Sequence, residues 1–290
     1  MSPELAAFLS SWSFEPEIVA GIVLAAGLYA VGRWRLRRRG RGRFRLPTWR
    51  AVAFVLGLGT VAVALLSPLS AFSELLLSMH MAQHLLLVIV AAPLIWLGAP
   101  LLPVLWALPL GWRKAFGRLL VAGSPVHGIF HFLTTPVIAL AIYLIVLAAW
   151  HVPPFYDAAQ GRSSLHDVEH LMFFGAALIF WWSVVHPTGG RRRLGYGVAV
   201  LYIMPAMLEG NLIGALLTFS SEPLYETYQL APRVFGLTAV QDQQIAGLLM
   251  WVVGGLLLLI PIFVLVYLLV GGEDEGDAVG SETPLVGRAQ

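Results

Sequence analysis

The 290-residue chain has no cysteine. That excludes disulfides, thiolate metal ligands and CxxC redox chemistry, so any metal site must use histidine, methionine or oxygen ligands. Charge is scarce as well. Asp, Glu, Lys and Arg make up 12% of the sequence, against the ~25% usual in soluble domains. The first 17 residues hold Glu4, Glu15 and Glu17 but neither Lys nor Arg, the reverse of a secretory leader, so no cleavable signal peptide is expected. There is no HExxH, no nucleophile elbow and no Gly-rich phosphate loop, and the expectation is a protein that is not an enzyme.

What the chain does have is apolar length. Hydrophobic residues make up 58% of it, mean hydropathy is +0.80, and runs long enough to cross a bilayer recur. Seven spans are read, at 17–32, 50–70, 79–98, 131–150, 168–186, 194–217 and 243–270. The expected fold is an all-α, polytopic membrane helix bundle of about seven transmembrane helices. An external segment, 1–16, precedes the bundle at 17–270, and an acidic, disordered cytoplasmic tail, 271–290, follows it. Pro93, Pro136, Pro205 and Pro261 are expected to kink or locally unwind helices. The Pro-rich stretch after the third span is read as a short interfacial segment.

The basic residues fix an expected orientation. Residues 33–50 hold nine arginines, 111–118 hold Arg113, Lys114 and Arg118, and 191–193 hold three more. These are alternate loops, while the intervening loops carry only Arg162 and Arg233. The positive-inside rule then places the N-terminus outside and the C-terminus in the cytoplasm. The Arg-rich loop 33–50 has a composition that also suits nucleic acid, but beside a helix end it reads as a membrane anchor, and no nucleic-acid partner is expected.

On this topology five of the eight histidines converge on the outer face. His80 and His84 open the third span, His151 closes the fourth, and His166 and His170 open the fifth, with Asp242 and Gln241, Gln243 and Gln244 at the start of the seventh. Residues i and i+4 share a helix face, so each HxxxH pair can point both rings one way. His84 and His170 would lie about 6 Å deeper than His80 and His166 at ~1.5 Å rise per residue, giving an accessible outer ring and a shielded inner one. Imidazole suits copper, zinc and iron. The competing reading is interfacial histidines that hydrogen-bond or snorkel, and this is the reading for His127, His131 and His186 at the inner ends of spans four and five. Met79, Met81 and Met172 flank the outer histidines out of phase with their faces, so core packing is their default role. In the sixth span Glu209, with Asn211 nearby, is an intramembrane carboxylate, either functional or neutral and hydrogen-bonded.

The stretches "MHMAQHLLLVIVAAPLIWLGAP", "WHVPPFYDAA", "LHDVEHLMFFGAALIFWW", "EPLYETY" and "DQQIAGLLMW" together resemble the CtaG-type family of cytochrome c oxidase assembly factors, multi-span proteins of the bacterial plasma membrane. The resemblance runs from about residue 50 to 270. It implies a role near copper delivery to a haem–copper oxidase, with oxidase subunits or a copper metallochaperone as partners. The polar motif positions it carries over are His80, Gln83, His84, His151, Asp157, His166, His170, Asp242 and Gln243.

Three functions remain open at this point. The first is a copper-binding assembly factor with its histidine cluster outside. The second is a haem protein moving electrons, with His84 and His170 as axial ligands. The third is a metal or proton transporter using Glu209 as a midplane relay, which would need a continuous polar path to the outer histidines.

Overall fold

A computed structural model describes residues 3–39, 46–119, 123–185 and 194–280. Among them there are helices and no strands, as lipid demands of any open chain: a spanning segment must satisfy its own backbone hydrogen bonds. In order these are α1 (Pro3–Ser10), α2 (Pro16–Arg39), α3 (Thr48–Leu66), α4 (Pro68–Ser73), α5 (Leu77–Leu85), α6 (Ala92–Leu97), α7 (Leu101–Ala107) and α8 (Leu110–Leu119). There follow α9 (Pro125–Leu133), α10 (Pro136–His151), α11 (Pro153–Gln160), α12 (Ser163–Val185), α13 (Tyr196–Phe219), α14 (Glu226–Leu230), α15 (Ala239–Leu248) and α16 (Gly255–Gly280). Two π-helical segments, Leu86–Ala91 and Leu249–Gly254, join α5 to α6 and α15 to α16.

Among the described residues six helical stretches are long and apolar enough to cross a membrane, and α9 with α10 forms a seventh if that bent pair is one span. The two halves meet at 67°, because Pro136 drives Thr135 out of helical geometry (φ −65°, ψ 127°). Several boundaries move outward, the two largest shifts at C-terminal ends. The second helix continues through the arginines to Arg39 rather than stopping at 32, since arginine is a good helix former. The last helix is described to Gly280, so the first ten residues of the expected tail continue it. Residues 281–290, His186 and Arg191–Arg193 lie outside the described residues.

The inside and outside of α13 follow from its helical period. Leu201, Leu208, Leu212 and Leu216 are exposed and form a lipid-facing stripe, while Ala199, Tyr202, Ile203 and Ala206 are buried in a core shared with Tyr143, Phe173, Phe180, Trp181 and Leu258. Where α13 crosses α15, two glycines allow backbone contact. A Cβ on Gly247 would come within 2.5 Å of Gly214 O, and one on Gly214 within 2.8 Å of Gly247 O. Small residues at such crossings are how membrane helices pack closely.

Pro205 and Pro261 sit inside helices that continue across them. Pro93 acts differently. In the π segment before it the bonding register has slipped, so that Ala92 N–H donates to Leu87 O, five residues back. The next donor in that register would be residue 93, and proline has no N–H. Val88 O is taken instead by the indole of Trp181 at 2.9 Å. A second indole, Trp96 Nε1, donates the other way to Leu178 O at 2.7 Å. The span beginning with α5 and the helix α12 are thus joined by two reciprocal indole–carbonyl bonds, and these are the two helices that carry the HxxxH pairs.

Candidate metal centre

A helix N-terminus leaves its first N–H groups without intrahelical partners, and Asp242 of α15 supplies acceptors for α5. Its carboxylate takes Leu77 N–H at 2.6 Å and Ser78 N–H at 3.2 Å, and also accepts from the Ser78 hydroxyl. That cap sets the position of α5, and one turn later His80 and His84 lie on one face with ring centroids 4.2 Å apart. On α12, His166 and His170 are 4.4 Å apart. The pairs face each other: His80 to His166 is 5.3 Å, His80 to His170 5.6 Å and His84 to His170 5.3 Å between centroids.

Between them stands a carboxylate that reading the sequence missed. Glu169 is fully buried, with Oε1 3.6 Å from His80 Nε2 and 3.9 Å from His84 Nε2. Two overlapping sets of donor atoms result, His80/His84/His170 and His80/His166/Glu169, with the atoms of each set within 4.8 Å of one another. The signal was available. Glu169 falls inside the fifth span, where a carboxylate is a functional candidate by position alone, and it is three residues from His166, on the same helix face.

The fifth expected histidine joins from the side. His151 Nδ1–H donates to Leu147 O at 2.7 Å, which fixes the tautomer and leaves the Nε2 lone pair free, the second-shell arrangement usual for metal-binding imidazoles. His84 and His151 both line a cavity of about 40 Å³ beneath the cluster. Most of its wall is apolar, including Met81, Val88, Phe173, Met207 and Met250. Met81 therefore packs in the core as expected, beside His84, while Met172 is exposed.

One expectation is corrected. His80 was to be the accessible ring and His84 the shielded one, yet His80 is 0% exposed and His84 6%. The reason is α11, which folds across the mouth. Tyr156 lies 5.4 Å from the His80 ring, and the Gln160 amide is 3.3 Å from His80 Nδ1. Access lies instead toward α12, where His166 and His170 are half-buried. The cover is held by tyrosines. Tyr156 and Tyr228 hydroxyls are 2.9 Å apart, Tyr228 donates to Ser73 O at 2.7 Å, and Tyr225 donates to His151 O at 3.1 Å. Burial pushes the Tyr156 and Tyr228 phenols well above their ordinary range, so they remain neutral donors.

The other polar motif positions serve the scaffold. Asp157 accepts from Thr227 N–H at 3.1 Å, Thr227 Oγ1 at 2.9 Å and Glu226 N–H at 3.3 Å, capping α14. Gln243 accepts from Leu224 N–H at 2.7 Å and donates to Glu222 O at 3.1 Å. Gln83 is fully buried, and neither amide atom has a partner among the described residues. Glu209 is half-buried on α13, and its neighbours Gly210 and Asn211 line the same mainly apolar cavity as His84 and His151. His127 and His131 lie together on α9, 6.0 Å between centroids, half-buried and exposed respectively.

The class these features define is a multi-span α-helical membrane protein with a buried cluster of histidines and one glutamate between two of its spans. The chain belongs to the family described as cytochrome c oxidase caa3 assembly factor (Caa3_CtaG), which it matches over residues 27–270. It is also similar to uncharacterized proteins of Mycobacterium bovis and Mycobacterium tuberculosis, each 27% identical over 256 residues, and to one of Mycobacterium leprae, 26% identical over 253. Each alignment covers 86% of this chain and 38% of the relative, so the chain spans well under half the length of the curated relatives it matches. No solved structure gives a significant match.

Proposed function

We propose that this protein is a copper-binding assembly factor of the bacterial plasma membrane, holding copper in the histidine–glutamate cluster as cargo for a haem–copper oxidase. One observation carries the reading. His80 Nε2, both nitrogens of His84, the Nε2 atoms of His151, His166 and His170, and both oxygens of Glu169 are buried without a hydrogen-bond partner among the described residues. Each such atom costs about 1–3 kcal/mol if left unsatisfied, and a cation satisfies several at once. A cysteine-free set of imidazoles with one carboxylate suits copper, which tops the divalent affinity order. His80, His84 and His170 form one position and His80, His166 and Glu169 the other, each with one half-buried histidine of α12, and His80 is common to both.

The role is non-catalytic, with oxidase subunits or a copper metallochaperone as partners. The arginine distribution supports an outside N-terminus, a cytoplasmic C-terminus and hence an outward-facing cluster. A haem held by His84 and His170 fits poorly: the adjoining cavity is about 40 Å³, whereas ligand pockets run from about 300 Å³ upward. Transport by way of Glu209 draws less support, because most of the cavity wall between it and the histidines is apolar. The test is metal analysis of purified protein. About one copper per chain is expected, lost in the His80→Ala/His170→Ala variant; full occupancy in that variant would overturn the assignment. Reporter fusions at residues 75, 158 and 230 should read external, and one cytoplasmic readout overturns the orientation. A deletion strain at low copper should hold oxidase polypeptides with depressed copper content and activity; normal values there would remove the assembly role.

A further inference from the structure

At the opposite end of the bundle from the histidines, α2, α7 and α8 enclose a recess of about 360 Å³ lined by Trp34, Arg35, Trp106, Leu110 and Arg113 together with the Leu108–Pro109 turn. Its guanidinium groups are held in place. Arg35 Nη1 donates to the carbonyls of Ala107 at 2.6 Å, Trp106 at 3.3 Å and Leu108 at 3.4 Å, at the C-terminal end of α7. All three bonds use one nitrogen of a group with five N–H donors. Arg113 lies over the Trp106 ring at 4.6 Å, and Arg38 over Trp34 at 4.5 Å. Among the described residues these fixed cations have no carboxylate to answer them: the ion pairs found there involve histidine and Glu169, and none involves an arginine or lysine.

The level of the recess in a membrane follows from the helices. The spanning stretch of α2 runs from Pro16 to Arg38, so Trp34 and Arg35 fall in its last turns, where headgroups begin. The ten-residue α8 is too short to cross. It leaves Leu110, Trp112, Phe116 and Leu119 exposed and carries Arg113, Lys114 and Arg118, the composition of a helix lying in the interface plane.

We propose that this recess binds the phosphate headgroup of an anionic phospholipid, with Arg113 and Arg35 as phosphate donors, Trp34 and Trp106 as its walls, and the exposed apolar face of α8 against the acyl chains. Charge complementarity selects the ligand. Guanidinium groups fork onto phosphate oxygens, basic pockets between spanning helices take anionic headgroups, and a zwitterionic lipid brings its own cation to the site. The assignment does not depend on copper.

The experiment is native mass spectrometry of the full chain in detergent, titrated separately with dioleoyl phosphatidylglycerol, dioleoyl phosphatidylcholine and inorganic phosphate. Phosphatidylglycerol should bind at low stoichiometry and at least about tenfold more tightly than phosphatidylcholine. Arg113→Gln should remove most of that preference while its copper content and lipid-free melting temperature stay at wild-type values. Arg118→Gln, on the same helix but outside the recess, should change binding less than about twofold. Equal losses from the two substitutions would mean diffuse surface charge and would overturn the site, as would phosphatidylcholine binding equally well. Inorganic phosphate binding as tightly as the lipid would overturn the lipid assignment.

Discussion

Replacing Glu169 with glutamine keeps the shape of the side chain and removes its capacity for charge. Both carboxylate oxygens are buried without a partner, and His80 Nε2 and His84 Nε2 lie 3.6 Å and 3.9 Å from Oε1. Without metal, this arrangement places an expensive acceptor among imidazoles that no hydrogen bond requires to be there. Glu169→Gln should therefore stabilise the metal-free protein, or leave it unchanged, while weakening copper binding about 10- to 100-fold, the loss usual when a group shaping a metal site is removed. The two effects separate by linkage. At free copper 100 times the wild-type Kd, binding adds about 2.7 kcal/mol to wild-type stability, and a hundredfold weaker variant gains about 0.4 kcal/mol. Thermal unfolding in detergent, with and without copper, should show a large upward shift for wild type and a small one for the variant. A variant that is less stable without metal but keeps the full copper-induced shift would refute the reasoning, because Glu169 would then be a packing residue.

Three further outcomes are expected. His80 belongs to both donor sets, so His80→Ala should abolish copper retention, while His84→Ala and His166→Ala should each impair one set and leave partial occupancy, read as copper per chain; equal, complete loss at all three positions would argue for a single undivided site. Asp242→Ala removes the acceptors for Leu77 and Ser78 N–H, which should cost about 1–2 kcal/mol as a lost cap and lower copper affinity by shifting α5; a destabilised protein with wild-type affinity would show that α5 is held by other contacts. Gly247→Leu should prevent close contact of α13 and α15 and lower the yield of folded protein far more than Gly59→Leu on α3, where a Cβ meets nothing within 4 Å; similar yields would refute the close-packing argument.

Hydropathy, i, i+4 spacing and the alternation of basic loops made much of this legible: the spans, the HxxxH pairs and the placing of His151 at the same end of the bundle follow from local pattern and topology. What escaped depends on contacts distant in sequence. Asp242 looked like a site residue because it shares an end of the bundle with the histidines, yet its work is to cap a helix 165 residues away, which no local pattern reveals. The burial of His80 depends on how α11 folds across it, a contact with Gln160 that is 80 residues away in sequence. The π segment before Pro93 left no trace in hydropathy because its residues are as apolar as their neighbours. Glu169 is the different case: its span was drawn correctly around it, and the histidines on either side drew the reading past it.

The two indole bonds between the span beginning with α5 and α12 have a consequence for how the proposed copper cargo would leave. Many helical proteins open a site by sliding one helix along another. Here Trp181 is tied to the carbonyl four residues past His84, and Trp96 to one eight residues past His170. A slip of one turn, ~5.4 Å, would break both bonds and strand Val88 O in a dry interior with Pro93 unable to supply an amide. The tryptophans thus act as rulers that hold the two histidine pairs level, and they oppose axial shear as a route of release. The cheaper movement is at the mouth, where Tyr225 and Tyr228 fasten the cover through two hydroxyl-to-carbonyl bonds. On the proposed function, release from the His80 side would wait on that clasp, while the α12 side, where His166 and His170 are half-buried, stays accessible and the ligand cage keeps its shape.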